Sequence, residues 1–285
     1  MTDIKELRSI ELASFTTISS GIAVFFSIIV AILISILIAL LIPEGSSIIP
    51  YLIPTVIVGS FMITVYTSFT EGLFYNLLAK KLKTIAVAIN DGEIVKISTT
   101  ETATMVAIIL TIQMILLYLV SMLILPLMLS TAMQTLMYSG QQILAYNIYQ
   151  ILLVISQPVT IAIFIFGNFI ISFVFVLLGT YIYNILAKNG RGIVLKLGCE
   201  NGLTVIESVD GLKLAIVFAI ISGILNLILG IIMVVSGAPI TTAVGNILGG
   251  FVGGFIISYL IAIFYNYLSG KLGKLKIELI DFRIN

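Results

Sequence analysis

Three asparagines carry the first chemical possibility in this chain. Each follows a tyrosine near the end of an apolar run: Tyr75-Asn76-Leu77-Leu78-Ala79-Lys80, Tyr183-Asn184-Ile185-Leu186-Ala187-Lys188 and, more loosely, Tyr265-Asn266-Tyr267-Leu268-Ser269-Gly270-Lys271. A carboxamide offers an acceptor oxygen and two donor hydrogens. Asn76, Asn184 and Asn266 at one depth could therefore ring an axis and coordinate an ion or water. The structural alternative is preferred, because Tyr belongs to the interfacial belt and Asn commonly hydrogen-bonds across transmembrane helices.

Glu71 is a second candidate intramembrane site. The aligned positions hold Gly179 and Ile261, so the recurring pattern does not require an acid there. Nine residues before Lys80, at ~1.5 Å per residue, it lies roughly 13 Å below the charged edge, deeper than a short carboxylate easily snorkels. An ionisable group at that depth is a functional candidate by default. A carboxyl bonded to a neighbouring Thr or Asn is the competing account and the preferred one. Gly245, Gly249 and Gly253, with Gly250 and Gly254 beside them, form small-xxx-small ridges that let helix backbones approach closely, so helix packing is their expected role.

Other chemistries lack their parts. The chain has no His and no Trp, and its single Cys199 cannot form an internal disulfide. Without His, a metal cluster, or a Ser or Cys beside a base, nucleophilic and metal-assisted hydrolysis are not expected. The reading is therefore of a non-enzyme with no cofactor. A net charge of +1 gives no global reason to expect nucleic acid.

The elements that must position these residues are membrane elements. An apolar content of 60%, only 9% charged residues and a mean hydropathy of +1.24 exclude a water-soluble domain of this size. The acidic Met1-Thr2-Asp3-Ile4-Lys5-Glu6 start and the long first apolar run argue against a secretory signal peptide. Apolar spans are expected from Leu12 to Ile42, Pro50 to Ala79, about Ala103 to Leu125 with a stop at Pro126, Pro158 to Ala187, about Leu212 to Val235, and Pro239 to Ser269. Residues 127–157 depart from the pattern and read as an outer-side insertion, an amphipathic or re-entrant helix rather than a further crossing. Between spans, Lys80 to Ser98 and Arg191 to Ser208 read as β-hairpins with tips at Asn90-Asp91-Gly92 and Glu200-Asn201-Gly202. The first helix of each unit is introduced by Ser9-Ile10-Glu11, Thr99-Thr100-Glu101 or Ser208-Val209-Asp210, a hydroxyl suited to the N-cap with an acid two positions on.

The expected fold is thus a mainly α membrane protein, one integral membrane domain over 1–285. Its six transmembrane helices form three two-helix repeats, approximately 1–91, 92–201 and 202–285, over a small cytoplasmic β layer with pseudo-threefold symmetry. All fourteen Lys and Arg lie in or beside segments 1–11, 80–101, 188–213 and 271–285, whereas the opposite loops carry only Glu44. The positive-inside rule then puts both termini and both hairpins in the cytoplasm of a multi-pass cell-membrane protein. The N-terminal strand, Ile4 to Arg8, and the C-terminal strand, Leu275 to Phe282, are each left without a mate, so they should pair with each other.

The opening Leu7-Arg8-Ser9-Ile10 and the ending Tyr183-Asn184, Ala187, Gly192-Ile193-Val194-Leu195 resemble a family of small bacterial and archaeal transmembrane proteins of unknown function, which end in Tyr-Asn-x-x-Ala-x-x-x-Gly-Gly-Ile-x-Val-x-Leu. Unit one departs with Lys83-Thr84 where the glycines stand, and unit three keeps only Gly273. The resemblance implies architecture and transfers no activity; single-unit relatives would assemble as trimers. Two functions follow from the whole: a non-enzymatic scaffold or regulator docking a cytoplasmic protein partner through its β layer, or a channel or small-solute conduit along the pseudo-axis. The first is preferred, since a coupled transporter usually shows several intramembrane charges and interrupted helices. The expected partners are the lipid bilayer and that cytoplasmic protein.

Overall fold

The computed structural model describes residues 3–41, 43–155 and 157–281. Ile42, Phe282 and the start at Met1 and Thr2, all named in the expectations above, lie outside the described residues. The chain divides into two compact units, 1–102 with 177–285, and 103–176.

The first unit contains a closed, fully antiparallel barrel of six strands in sequence order. They are β1 (Asp3–Ile10), β2 (Ile85–Asn90), β3 (Glu93–Ile97), β4 (Ile193–Glu200), β5 (Leu203–Val209) and β6 (Leu275–Asp281). The two hairpins form at the expected turns. Asp91 and Asn201 adopt φ of 48° and 52°, and Gly92 and Gly202 follow at 81° and 80°. Positive φ at both central residues gives the primed turn whose twist matches that of the flanking strands, and it favours Asp-Gly and Asn-Gly. β1 pairs with β6 from Lys5 opposite Asp281 to Ile10 opposite Ile277, as the unmatched ends required. The two hairpins and the β1–β6 pair do not stand apart, because β1–β2, β3–β4 and β5–β6 also pair, so the expected β layer is one closed sheet. Closure removes every edge, which three isolated ribbons would have left exposed.

Register assigns the barrel's two faces. Leu7 lies opposite Ile85 and Leu279, Val87 opposite Ile97, Ile94 opposite Ile193, Leu195 opposite Val209, and Ile206 opposite Leu275. This apolar set continues into Ile89, Leu197, Thr204 and Lys5, which line one cavity at the hairpin end together with Asp3 and Leu279. Side chains from five strands can share a cavity only inside the barrel, so the apolar face is the interior. Eight strands make a barrel that side chains just fill, and six make a narrower one.

Among the described residues, six helices are long and apolar enough to cross a membrane. They are α1 (Leu12–Leu41), α2 (Ile49–Leu78), α3 (Thr99–Tyr138), α5 (Pro158–Lys188), α6 (Gly211–Val235) and α7 (Ile240–Ser269), while α4 (Gln142–Ile155) has 14 residues and falls short of a span. Pro126 does not end a helix. α3 continues through it to Tyr138, so residues 127–138 belong to that helix. One missing N–H costs less in apolar surroundings than unwinding a turn, and just beyond it Ser130 and Thr131 donate their hydroxyls to the Leu127 carbonyl.

The helix starts also differ from expectation in a small, informative way. At α1 and α6 the acid itself is the cap: Glu11 accepts the Ser14 N–H at 2.6 Å and Asp210 accepts the Lys213 N–H at 3.0 Å. Hydrogen bonding by Ser14 holds the Glu11 carboxyl below the usual carboxylate range. The upstream Ser9 donates instead to Glu278 across the sheet. The strands run on to Ile10 and Val209, so each helix begins later than a hydroxyl cap would set it.

Candidate functional site

What holds each strand until that point is the asparagine. Asn76 on α2 accepts the Ile10 N–H and donates to the Ile10 carbonyl, both at 2.8 Å. Asn184 on α5 does the same to Ile97 at 2.8 Å each, and Asn266 on α7 to Val209 at 2.8 and 2.9 Å. The carboxamide is matched in shape and polarity to the N–H and C=O of one residue, the last of each entering strand. Asn184 also donates to the Thr99 hydroxyl at 3.1 Å.

The tyrosine one position earlier completes the clamp. Tyr75, Tyr183 and Tyr265 are each at most 6% exposed. Their hydroxyls donate to the carbonyls of Leu7, Ile94 and Ile206, three residues before the clamped one. The Tyr183 and Tyr265 hydroxyls also receive the N–H that opens the following strand, from Ile193 and Leu275. At these two corners the Tyr-Asn pair therefore ties the end of one helix to two neighbouring strands, β3 and β4 or β5 and β6. Apolar contacts back the bonds: Tyr183 and Ala187 pack with Val217 and Ile221 of α6 against Ile94, Ile97 and Ile193, and Tyr265 and Leu268 pack with Ile18 of α1 against Ile206, Val209 and Leu275.

Why those carbonyls are free to accept is visible in the register. β1 slips between Leu7 and Ser9 against β6, leaving Arg8 as the extra residue. β3 slips so that Val95 is extra opposite β2, and β5 so that Glu207 is extra opposite β4. A bulge leaves its extra residue out of the ladder and bends the strand. In all three cases the Tyr hydroxyl takes the carbonyl just before it. Sequence inspection missed these residues, because a bulge belongs to the pairing of two strands and not to the composition of either; their constant place two positions before Ile10, Ile97 and Val209 was the available signal.

The corners outside the bulges differ. Beside Arg8, a groove of about 590 Å³ is lined by Glu6, Ser9, Asn76, Lys80, Thr84 and Glu278 among others. Beside Val95, a largely apolar groove of about 600 Å³ is lined by Ile4, Ala88, Tyr181 and Ile185 with Lys96 and Lys188. At the third corner Glu207 bonds Lys196 at 2.9 Å and Lys274 at 3.5 Å, and Glu200 bonds Lys274 at 3.1 Å and Lys276 at 3.4 Å. Lys274 holds the Glu200 carboxyl below its usual range, Lys196 does so for Glu207, and Glu200 pushes the Lys274 ammonium up.

Of the residues singled out from sequence, the three asparagines are each committed to a different strand, so no ring of free amides forms. Glu71 is half-buried on α2, one turn before Tyr75, and has an interaction partner. The glycine ridge is displaced by one position. Gly250 abuts Asn226, and a Cβ at Gly254 would lie 2.9 Å from the Phe218 carbonyl, so these two make the close contact with α6. No atom lies within 4 Å of a Cβ built at Gly245, Gly249 or Gly253, so the close contact with α6 belongs to Gly250 and Gly254. The two sets lie on different faces of one helix, and spacing alone does not say which face meets a partner. Compared with family models, with curated proteins and with solved structures, the chain matches none.

Proposed function

We propose that the chain is an integral membrane scaffold or regulator. Three tandem βααβ units, approximately 1–91, 92–201 and 202–285, are arranged about a pseudo-threefold axis. The barrel and both termini face the cytoplasm, and the barrel presents a rigid surface to a cytoplasmic protein. The observation that carries this reading is the commitment of all three Tyr-Asn pairs to strand backbone. They fasten the barrel to the helix ends and leave none of these three amides free to coordinate a passing ion. The narrow barrel interior, closed by Ile94, Ile97, Ile193, Ile206, Val209 and Leu275 where it meets the helices, supports the same reading, since a conduit on the axis would have to cross it. So does the gathering of Lys and Arg at the barrel end. The resemblance to small bacterial and archaeal transmembrane proteins accords with three such units in one chain, and residues 127–157 are assigned to the outer side.

The test is reconstitution. In liposomes the chain should show near-zero ion or solute flux, and Glu71→Gln should fold normally and leave that value unchanged. Clear wild-type flux suppressed by Glu71→Gln would replace the scaffold with a conduit. Orientation is checked in a Cys199→Ser background: cysteines at Ser46 and Ser139 should label from outside, and those at Asp91 and Asn201 only after permeabilisation.

A further inference from the structure

The three bulges share a backbone role but carry Arg8, Val95 and Glu207, so the arginine is not something the fold demands. Arg8 is exposed, and with the exposed Lys80 at the C-terminal end of α2 it borders the groove of about 590 Å³. Among the described residues neither cation has an ion pair. The two carboxylates in the groove are already held: Glu6 by the Thr84 hydroxyl at 2.8 Å, and Glu278 by the Ser9 hydroxyl at 2.8 Å. Immediately after the helix come Lys81, Leu82 and Lys83, with both lysines exposed and Leu82 40% exposed between them. Four cations against two engaged carboxylates, with one apolar side chain among them, stand where an apolar helix meets the strands.

We propose that this corner binds the phosphate of an anionic phospholipid headgroup, with Arg8 and Lys80 contacting the phosphate and Leu82 dipping into the acyl boundary. Arg presents a planar fork to phosphate oxygens and Lys a point charge, a usual division of labour at such sites. Anionic lipid at the cytoplasmic surface attracts juxtamembrane basic segments in the same way. The inference rests on the proposed seating of the barrel at that surface. The third corner offers nothing equivalent, because its lysines are paired with Glu200 and Glu207.

Native mass spectrometry of the full-length chain, released from detergent with equimolar phosphatidylglycerol and phosphatidylcholine, reads the site directly. Wild type should retain phosphatidylglycerol preferentially. Arg8→Gln with Lys80→Gln should cut that preference by about tenfold, while Lys196→Gln with Lys276→Gln, which removes the same charge from the third corner, should leave it nearly intact. Millimolar inorganic phosphate should not displace the lipid. Equal losses in both double variants, or no preference in wild type, would overturn the site. Full displacement by phosphate would overturn the lipid as its occupant. Unchanged thermal melting of both variants shows that the comparison is made on folded protein. Because the assay depends on neither orientation nor a docked protein, its failure is distinguishable from failure of the scaffold reading.

Discussion

At Ile10, Ile97 and Val209 the molecule repeats itself bond for bond, and two residues upstream, at Arg8, Val95 and Glu207, it does not. The first region is backbone held by side chains of fixed type, because a carboxamide can answer both the N–H and the C=O of one residue, and a hydroxyl can give a hydrogen bond to the entering strand while taking one from the strand that follows. The second region is a bulge whose side chain leaves the ladder, so its identity is free to vary from cation to alkyl to anion. Conserved geometry and variable chemistry lie within one short strand. Constraint on this fold therefore resides in backbone satisfaction at the helix ends, and any chemistry resides in what the bulges display.

The comparison breaks most readily at the clamps. Asn76→Leu or Asn184→Leu strips two hydrogen bonds from a part-buried peptide, at a cost of roughly 2–4 kcal/mol, seen as a lowered melting temperature in detergent. Asn266 makes its bonds at an exposed position, so Asn266→Leu should cost less, about 1 kcal/mol. Equal costs at all three would mean that burial does not set the strength of the clamp. Tyr183→Phe, which removes one hydroxyl serving Ile94 and Ile193, should fall between them.

Much of this was legible before any coordinates. Asp91-Gly92 and Asn201-Gly202 announce two hairpins through their turn chemistry, and the apolar runs opening at Pro50, Pro158 and Pro239 mark three of the long helices. The unpaired end strands implied closure. Where the reading fell short, the missing information was relational. Asn in such a run suggests helix–helix bonding, because its side chain alone does not reveal that its partner is a strand peptide. Pro126 suggests a stop, although in an apolar helix the alternatives to continuing are worse. Spacing does not say which of the glycines meets α6, since both faces of α7 carry it; Gly250 and Gly254 do.

A smaller effect is expected at the bulges. Exchanging Arg8→Val with Val95→Arg should move stability by no more than about 0.5 kcal/mol, as measured by denaturant or thermal unfolding, because neither side chain is needed by the ladder. A loss as large as that of Asn184→Leu would show that the bulge residue is structural after all.

The smallest effect concerns the ion pairs of the third corner. Glu200 and Glu207 have lowered folded pKa values, so their contribution is complete above the unfolded carboxylate value of about 4.3 and is lost as pH falls through the lowered folded values. Lys274 is raised, so its contribution is complete below about 10.4 and is lost as pH rises through the raised value. Melting between pH 5 and 9 should show no step from this cluster, and added salt should lower stability slightly in wild type but not in Glu200→Gln with Glu207→Gln.

The central claim is that each Tyr-Asn pair is a local clamp on one strand end. Amide hydrogen exchange in the Asn184→Leu chain tests it most directly. Exchange at Ile97 should accelerate strongly while Ile10 and Val209 keep wild-type protection. Unchanged protection at Ile97, together with altered ion permeability of the reconstituted variant, would contradict the account and return the asparagines to an axial ring.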